Sequence, residues 1–327
     1  MSPTKSFSVI TLFILTRALS ISANLFNIPT LLVPPSDTRP TTILSIGPDL
    51  ARSKKYVHLT GASYCFNIST WDCIFCKISK NYGFEFVSEF RNKSANTYGF
   101  IAVNNYEKEI IVTIRGTLNM NNVLQDSDWV MVDPNDGRTV VKIGDGETIG
   151  VNRGFVRAVG SLFPQLVTQL NVAMRNHHNY ASQSRPCASL HHSLHVKRTD
   201  QSSPRFSCPE ILRLFRIRGP RVGNRVYADY WNSQNMPITR VSNKADFAAY
   251  LPPSIHGYVH FGSEVWINSK EEEIICSKEV YEDPTCTNSM PVLLHNLADH
   301  LIYWDMEYLA CAGQHMETTL GQFVTDL

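Results

Sequence analysis

The order in which helical and strand-like segments follow one another constrains this chain most. Phe155, Val159, Leu162, Leu166, Leu170 and Ala173 recur at three- and four-residue steps, which puts one apolar stripe along a helix from about Gly154 to Arg175. Pro164 lies inside it and is expected to bend it. Asn224 is placed to cap a second helix over 225–232. That helix leads into the strand-like run Pro237-Ile238-Thr239-Arg240-Val241-Ser242-Asn243. Strand, helix, strand in that order predicts an α/β fold with a mostly parallel central sheet flanked by helices. Upstream, Tyr98–Asn105 and Glu109–Arg115 are β-rich runs separated by the polar turn Asn105-Tyr106-Glu107-Lys108, and they read as a hairpin or neighbouring strands. A chain of 327 residues, 43% hydrophobic and 18% charged, can bury one sizeable core, so a single domain over 51–327 is expected.

The formal net charge of +1 provides no strong basic field, so a nucleic-acid partner is not expected. At the start, Lys5 precedes an apolar run from Phe7 to Leu15, and the small residues Ser20, Ser22 and Ala23 follow. That is the three-part pattern of a secretory signal over 1–23, and its apolar run is too short for a transmembrane helix. No later segment is long and apolar enough to cross a bilayer, so a secreted, extracellular protein is expected. Residues 24–50 are rich in Pro and Thr, lack either period, and read as a propeptide or extended arm. Eight cysteines agree with an oxidising destination. Cys73-Ile74-Phe75-Cys76 has no second ligand pair of matching spacing, so in a secreted chain a local disulfide is the better reading than zinc. Cys276 and Cys286 bracket a turn-rich loop that also suits a local bridge. Asn67-Ile68-Ser69 and Asn92-Lys93-Ser94 are glycosylation acceptors compatible with the same route.

Asp246 follows the strand-like run, and His300 lies within Asn296-Leu297-Ala298-Asp299-His300-Leu301. A hydroxyl attacks an ester carbonyl only when a base removes its proton, and a carboxylate must hold that imidazole in the right tautomer. The oxyanion that forms needs preset donors, one of them from a strand-end loop such as the one after Arg115-Gly116. Serine, then acid, then histidine is the chain order of α/β-hydrolases. No G-x-S-x-G elbow occurs anywhere in the chain.

Several ordered motifs sharpen this reading. They are Gly219-Pro220-Arg221-Val222-Gly223-Asn224, Asp246 with Leu251-Pro252-Pro253, Gly257-Tyr258-Val259-His260, and Glu264-Val265-Trp266-Ile267. Together they resemble the fungal class 3 lipases of the secreted Rhizomucor and Thermomyces type. The resemblance begins near Ala62-Ser63-Tyr64-Cys65, includes Trp71-Asp72-Cys73 and Ile114-Arg115-Gly116-Thr117, closes with Asp299-His300-Leu301-Ile302-Tyr303-Trp304, and covers most of residues 55 to 313. It implies an α/β-hydrolase fold, hydrolysis of carboxylic esters of acylglycerols at a lipid–water interface, and no cofactor. Residue by residue, Asp246 matches the triad acid, His300 the general base and Thr117 the first oxyanion-hole residue. Leu118 to Asp126 falls where the family keeps its helical lid, with Val123 in place of the usual tryptophan. Cys65 with Cys311, Cys73 with Cys76, and Cys276 with Cys286 match the usual bridges, leaving Cys187 and Cys208 extra. His256 and His260 are not assigned a catalytic role, because the matching histidine of the family is structural.

The likeness breaks where the nucleophile belongs. Between Tyr180 and about Ser202 the family places a strand and G-H-S-L-G; here Ser193 keeps the central letters in His192-Ser193-Leu194, but His191 and His195 replace both glycines. Those glycines allow the strained strand-to-helix turn, so two side chains there are adverse. Ser189 is a second candidate. The departure spans about forty residues, loses the apolar pattern expected of a central strand, and ends sharply at Gly219. A shifted reading frame or a mis-spliced intron has that signature. Two further functions stand beside the hydrolase: a non-catalytic relative that binds lipid or a protein partner, and a metal site at His177, His178, His191, His192 and His195, which show no convincing ligand pattern.

Overall fold

The computed structural model describes residues 47–116, 129–134, 137–140, 148–178, 180, 213–234, 237–308 and 310–311. The expected signal segment, most of the arm, Thr117, the lid stretch, Ser189, Ser193, Cys187 and Cys208 lie outside the described residues.

Helix α1 (Leu50–Ala62) opens the body. Asp49 caps it by accepting from Arg52 N at 3.1 Å, takes Arg213 Nη1 at 2.8 Å, and donates its own N–H to Thr239 Oγ1 at 2.9 Å. Helix α2 (Ile74–Asn81) follows, and a disulfide joins Cys73 to Cys76 at its start. Strands β1 (Phe84–Asn92), β2 (Thr97–Asn104) and β3 (Glu109–Ile114) form an antiparallel sheet in that order. The predicted hairpin is β2–β3, paired from Asn104↔Glu109 to Gly99↔Ile114. Asn104 Oδ1 sets its turn by accepting from the N–H of Tyr106 and of Glu107, both at 2.9 Å. Strand β1 escaped the sequence reading; Phe84, Phe86 and Phe90 carry a two-residue period, but a register shift between Phe86 and Ser88 interrupts it.

The short strands β4 (Met131–Val132) and β5 (Val151–Asn152) pair antiparallel. Helix α3 (Arg153–Asn176) follows, with the Asn152 side chain accepting from Phe155 N at 3.2 Å. The helix continues through Pro164. Its predicted stripe is real: Leu162, Leu166, Leu170 and Ala173 are buried against Phe90, Ile101, Val103 and Ile110. Each large apolar side chain buried there contributes roughly 1.5–3 kcal/mol.

Strand β6 (Leu214–Ile217), helix α4 (Arg225–Asn232) and strand β7 (Ile238–Asn243) form the predicted strand–helix–strand unit. Asn224 caps α4, accepting from Tyr227 N at 3.0 Å. Strands β8 (Ser263–Ile267) and β9 (Glu273–Ile275) complete a sheet of order β6-β7-β8-β9. Pairings β6–β7 and β7–β8 are parallel and β8–β9 antiparallel, and outside this sheet Asp246 and Asn296 form an isolated parallel bridge. All six residues of β7 are buried, as a strand covered on both faces should be. Leu214 and Phe215, at the end of the stretch expected to be irregular, lie in a regular but only half-buried strand. Gly223 needs to be glycine, because a Cβ there would lie 2.4 Å from the Gly150 carbonyl oxygen. Disulfides Cys65–Cys311 and Cys276–Cys286 complete the three bridges that the resemblance implies.

Candidate active site

Strand β7 ends at Asn243, and the chain turns at once through Lys244, whose φ of 42° is left-handed. The turn is pinned to β8: Lys244 N donates to Ile267 O at 2.7 Å, and Trp266 Nε1 donates to Lys244 O at 3.0 Å. Two residues later Asp246 caps the short helix α5 (Phe247–Tyr250), accepting from Ala248 N at 2.7 Å. The strand end and the cap together aim a fully buried carboxylate at the loop that carries His300.

That loop is tied to the same turn along its backbone. Asn296 N donates to Ala245 O at 2.9 Å, and Phe247 N donates to Asn296 O at 3.2 Å. Asp299 Oδ2 accepts from Ala245 N at 3.1 Å and from Asn296 Nδ2 at 2.8 Å. Asn243 Nδ2 donates to Asp299 O at 3.0 Å, within helix α6 (Ala298–Leu301), and to Ile302 O at 2.8 Å, just after it. A short hairpin, β10 (Ile302–Tyr303) with β11 (Met306–Glu307), follows, and the Cys65–Cys311 bridge anchors the chain beyond it.

His300 Nδ1 lies 2.9 Å from Asp246 Oδ1 and 3.1 Å from Oδ2. The Tyr303 hydroxyl donates to Oδ2 at 2.5 Å and accepts from Asn243 N at 3.2 Å. Burial by itself pushes the Asp246 carboxyl upward, but the hydrogen bonds of His300, Tyr303 and Ala248 and the charge of His300 outweigh it and hold the carboxyl below its ordinary value. Burial, reinforced by the Asp246 charge, pushes the Tyr303 phenol well upward, so it stays a hydrogen-bond donor. With Nδ1 committed to the carboxylate, Nε2 is the nitrogen that faces away from it and is free to exchange a proton with a hydroxyl. The His300 side chain keeps 11% of its surface accessible, whereas that of Asp246 keeps none. A carboxylate and an imidazole in this geometry can pass a proton to and from a hydroxyl placed at Nε2.

The strand end ahead of Thr117 is also held. Arg115 N donates to Tyr98 O at 2.9 Å, and its Nη2 donates to Asn96 O at 3.2 Å and to Asn96 Oδ1 at 3.0 Å. A Cβ on Gly116 would come within 2.7 Å of the Tyr64 hydroxyl. Of the residues singled out in the sequence, the structure thus brings Asp246 and His300 together, while Thr117 and Ser193 lie outside the described residues. Sequence reasoning missed Asn243, Asn296, Asp299 and Tyr303. The available signal was the Asn296-x-x-Asp299 spacing, which makes a local turn with Asp299 N donating to Asn296 Oδ1 at 2.8 Å.

No protein-family profile matches the chain. Comparison with individual proteins does find relatives. A lipase of Rhizopus niveus is 28% identical over 266 residues, covering 79% of this chain and 64% of the relative. A lipase of Rhizomucor miehei is 29% identical over 263 residues, covering 78% and 69%. The chain is a homologue of the fungal lipases. It spans less than two thirds of the length of the Rhizopus lipases it matches. Among solved structures, lipase II from Rhizopus niveus superposes with a TM-score of 0.63 at 25% identity, over 81% of this chain and 99% of that one. The Rhizomucor miehei lipase–propeptide complex does so with a TM-score of 0.61 at 24% identity, over 80% and 82%. The fold is therefore the α/β-hydrolase fold of these lipases.

Proposed function

We propose that this protein is a secreted lipase-like carboxylic ester hydrolase acting on acylglycerols at a lipid–water interface. The observation that carries the reading is the buried Asp246 carboxylate held 2.9 Å from His300 Nδ1. Asp246 acts as the acid that orients and stabilises the imidazolium, and His300 as the general base and then the acid. Ser193 supplies the hydroxyl, with Ser189 as the alternative, and the Thr117 segment donates to the oxyanion. The mechanism requires no cofactor. Similarity to lipases over most of the chain supports the substrate class, and a related Fusarium solani protein is described as a secreted mono- and diacylglycerol lipase. No helix among the described residues is long and apolar enough to cross a membrane.

A second reading is favoured by one specific observation: His191 and His195 stand where an elbow needs glycine. On that reading the scaffold binds lipid or a protein partner without catalysis. A serine-directed phosphonate separates the two. Covalent labelling that maps to Ser193 or Ser189 and is lost in His300→Gln supports the hydrolase; an unlabelled, folded protein establishes the non-catalytic relative.

A further inference from the structure

Beside the helix that Asp246 caps lies a small polar pocket with space of about 10 Å³, bounded by Arg221, Arg240, Tyr250, His260, Glu282 and His295 among others. Four of its lining residues each carry a buried polar atom without a hydrogen-bond partner: His260 Nδ1, His295 Nε2, Arg240 Nε and the Tyr250 hydroxyl. A buried polar group left unpaired costs about 1–3 kcal/mol, so four on residues that line one space call for a common partner.

The chemistry of those four atoms identifies it. His260 Nε2 lies 2.8 Å from the Ala249 carbonyl oxygen; a carbonyl only accepts, so Nε2 carries the proton and Nδ1 is a bare acceptor. His295 Nδ1 faces the Val292 carbonyl oxygen at 3.3 Å, which by the same logic leaves its Nε2 as an acceptor. Arg240 Nε–H is an obligatory donor, and the Tyr250 hydroxyl donates as readily as it accepts. Two acceptors and two donors complement a water molecule, which donates twice and accepts twice. A halide would leave both imidazole nitrogens unpaired, and a cation would face an arginine N–H.

The charges around the cavity agree. Arg221 is paired with Glu282 through Nε at 2.7 Å and Nη2 at 2.5 Å, and Arg240 with Glu264 at 2.9 Å, so the arginines that line the pocket are each neutralised by a carboxylate, while Arg216 lies outside the lining on the Phe261 and Pro220 carbonyl oxygens. Burial, with Arg240, Arg221 and Arg216 nearby, lowers His260 well below its ordinary value, and burial lowers His295 too, so both shifts favour the neutral ring. The volume reaches the lower end of the roughly 10–15 Å³ that one water requires.

We infer that this cavity is a binding site for one structural water, which donates to His260 and His295 and accepts from Arg240 and Tyr250. Its position gives it a role. Ala249 and Tyr250 belong to the helix that Asp246 caps, and His295 directly precedes Asn296, whose backbone pairs with Ala245 and Phe247. The Tyr250 and His295 rings lie 4.6 Å apart, and the water fastens the two from beneath. It joins the helix of the acid to the loop of the base, whether or not a serine reacts with them.

A crystal structure of the full chain at neutral pH, from crystals soaked in bromide, tests this directly. The expected result is one peak without bromine anomalous signal, about 2.7–3.2 Å from all four atoms. An anomalous peak there, a contracted cavity without density, or direct bonding of Arg240 to His260 would overturn the inference. Nitrogen-15 NMR in solution is an independent check: His260 should be the Nε2–H tautomer and His295 the Nδ1–H tautomer, and the opposite tautomer at either ring would also overturn it.

Discussion

The Tyr303 hydroxyl lies 2.5 Å from Asp246 Oδ2, and neither side chain is exposed. The bond matters because Asp246 is fully buried and, among the described residues, its carboxylate is compensated by His300, Tyr303 and the Ala248 N–H. Hydrogen bonds to a charged group contribute more than neutral ones. Tyr303→Phe keeps the ring in its core cluster and deletes only the hydroxyl. It should destabilise the protein by about 1.5–3 kcal/mol, read as a lower urea midpoint with unchanged slope. A change below about 0.5 kcal/mol would mean that the carboxylate does not depend on this donor.

The same carboxylate sets a pH dependence. Its folded-state value lies below the ordinary 3.8, so in the unfolded chain it binds its proton at higher pH than in the folded one. The stabilisation it provides is therefore present above about pH 4 and is lost as pH falls through the folded value. Asp246→Asn should be less stable than the parent at pH 6, and the difference should shrink steadily below pH 4. Denaturation midpoints of both proteins between pH 3 and 7 check this; a constant gap would contradict it. Comparing the two proteins cancels Glu282 and Asp283, whose carboxyls are also held low.

Much of this was legible beforehand because it rests on local rules. The α3 stripe follows from a 3.6-residue period, the start of α4 from Asn224, and the β2–β3 hairpin from a polar turn between β-rich runs. Asp246 and His300 were visible through their order and neighbouring motifs. Their clamp was not. Asn243, Asn296, Asp299 and Tyr303 are ordinary polar residues whose partners lie up to 60 residues away, and only the local Asn296-x-x-Asp299 turn marks any of them. His260 shows the same limit: its sequence neighbours say nothing of Arg240 or Ala249, which determine its tautomer and its charge.

The buried Arg221–Glu282 pair supplies a third test. Both side chains are 3% exposed, and the Glu282 carboxylate also accepts from His260 N at 3.0 Å. Breaking such a pair from one side leaves an uncompensated charge, at a cost of about 3–5 kcal/mol. Arg221→Met should therefore fall in that range by urea unfolding. The double variant Arg221→Met, Glu282→Gln should recover part of the loss, because the stranded charge is gone. A double variant no more stable than Arg221→Met would show that packing around the guanidinium, rather than the charge, is what the cavity wall requires.

A chain that had lost its nucleophile long ago would have no catalytic reason to keep a fully buried carboxylate beside a histidine, since burying that charge opposes folding. Yet Asp246 retains all three donors and the His300 loop retains its clamp. The register of β6 on β7 is intact from Leu214 onward, so the disruption stops within a few residues of a well-formed strand. Gradual decay would erode the site before the core and would not end so sharply. The messenger across the codons for Asn176 to Gly219 is therefore expected to encode G-H-S-L-G in frame with Asp246 and His300, and the protein made from it should react with the phosphonate. A messenger that encodes the stretch as it stands would mean the elbow is lost, and the surviving acid–base pair would then be a remnant in a binding protein.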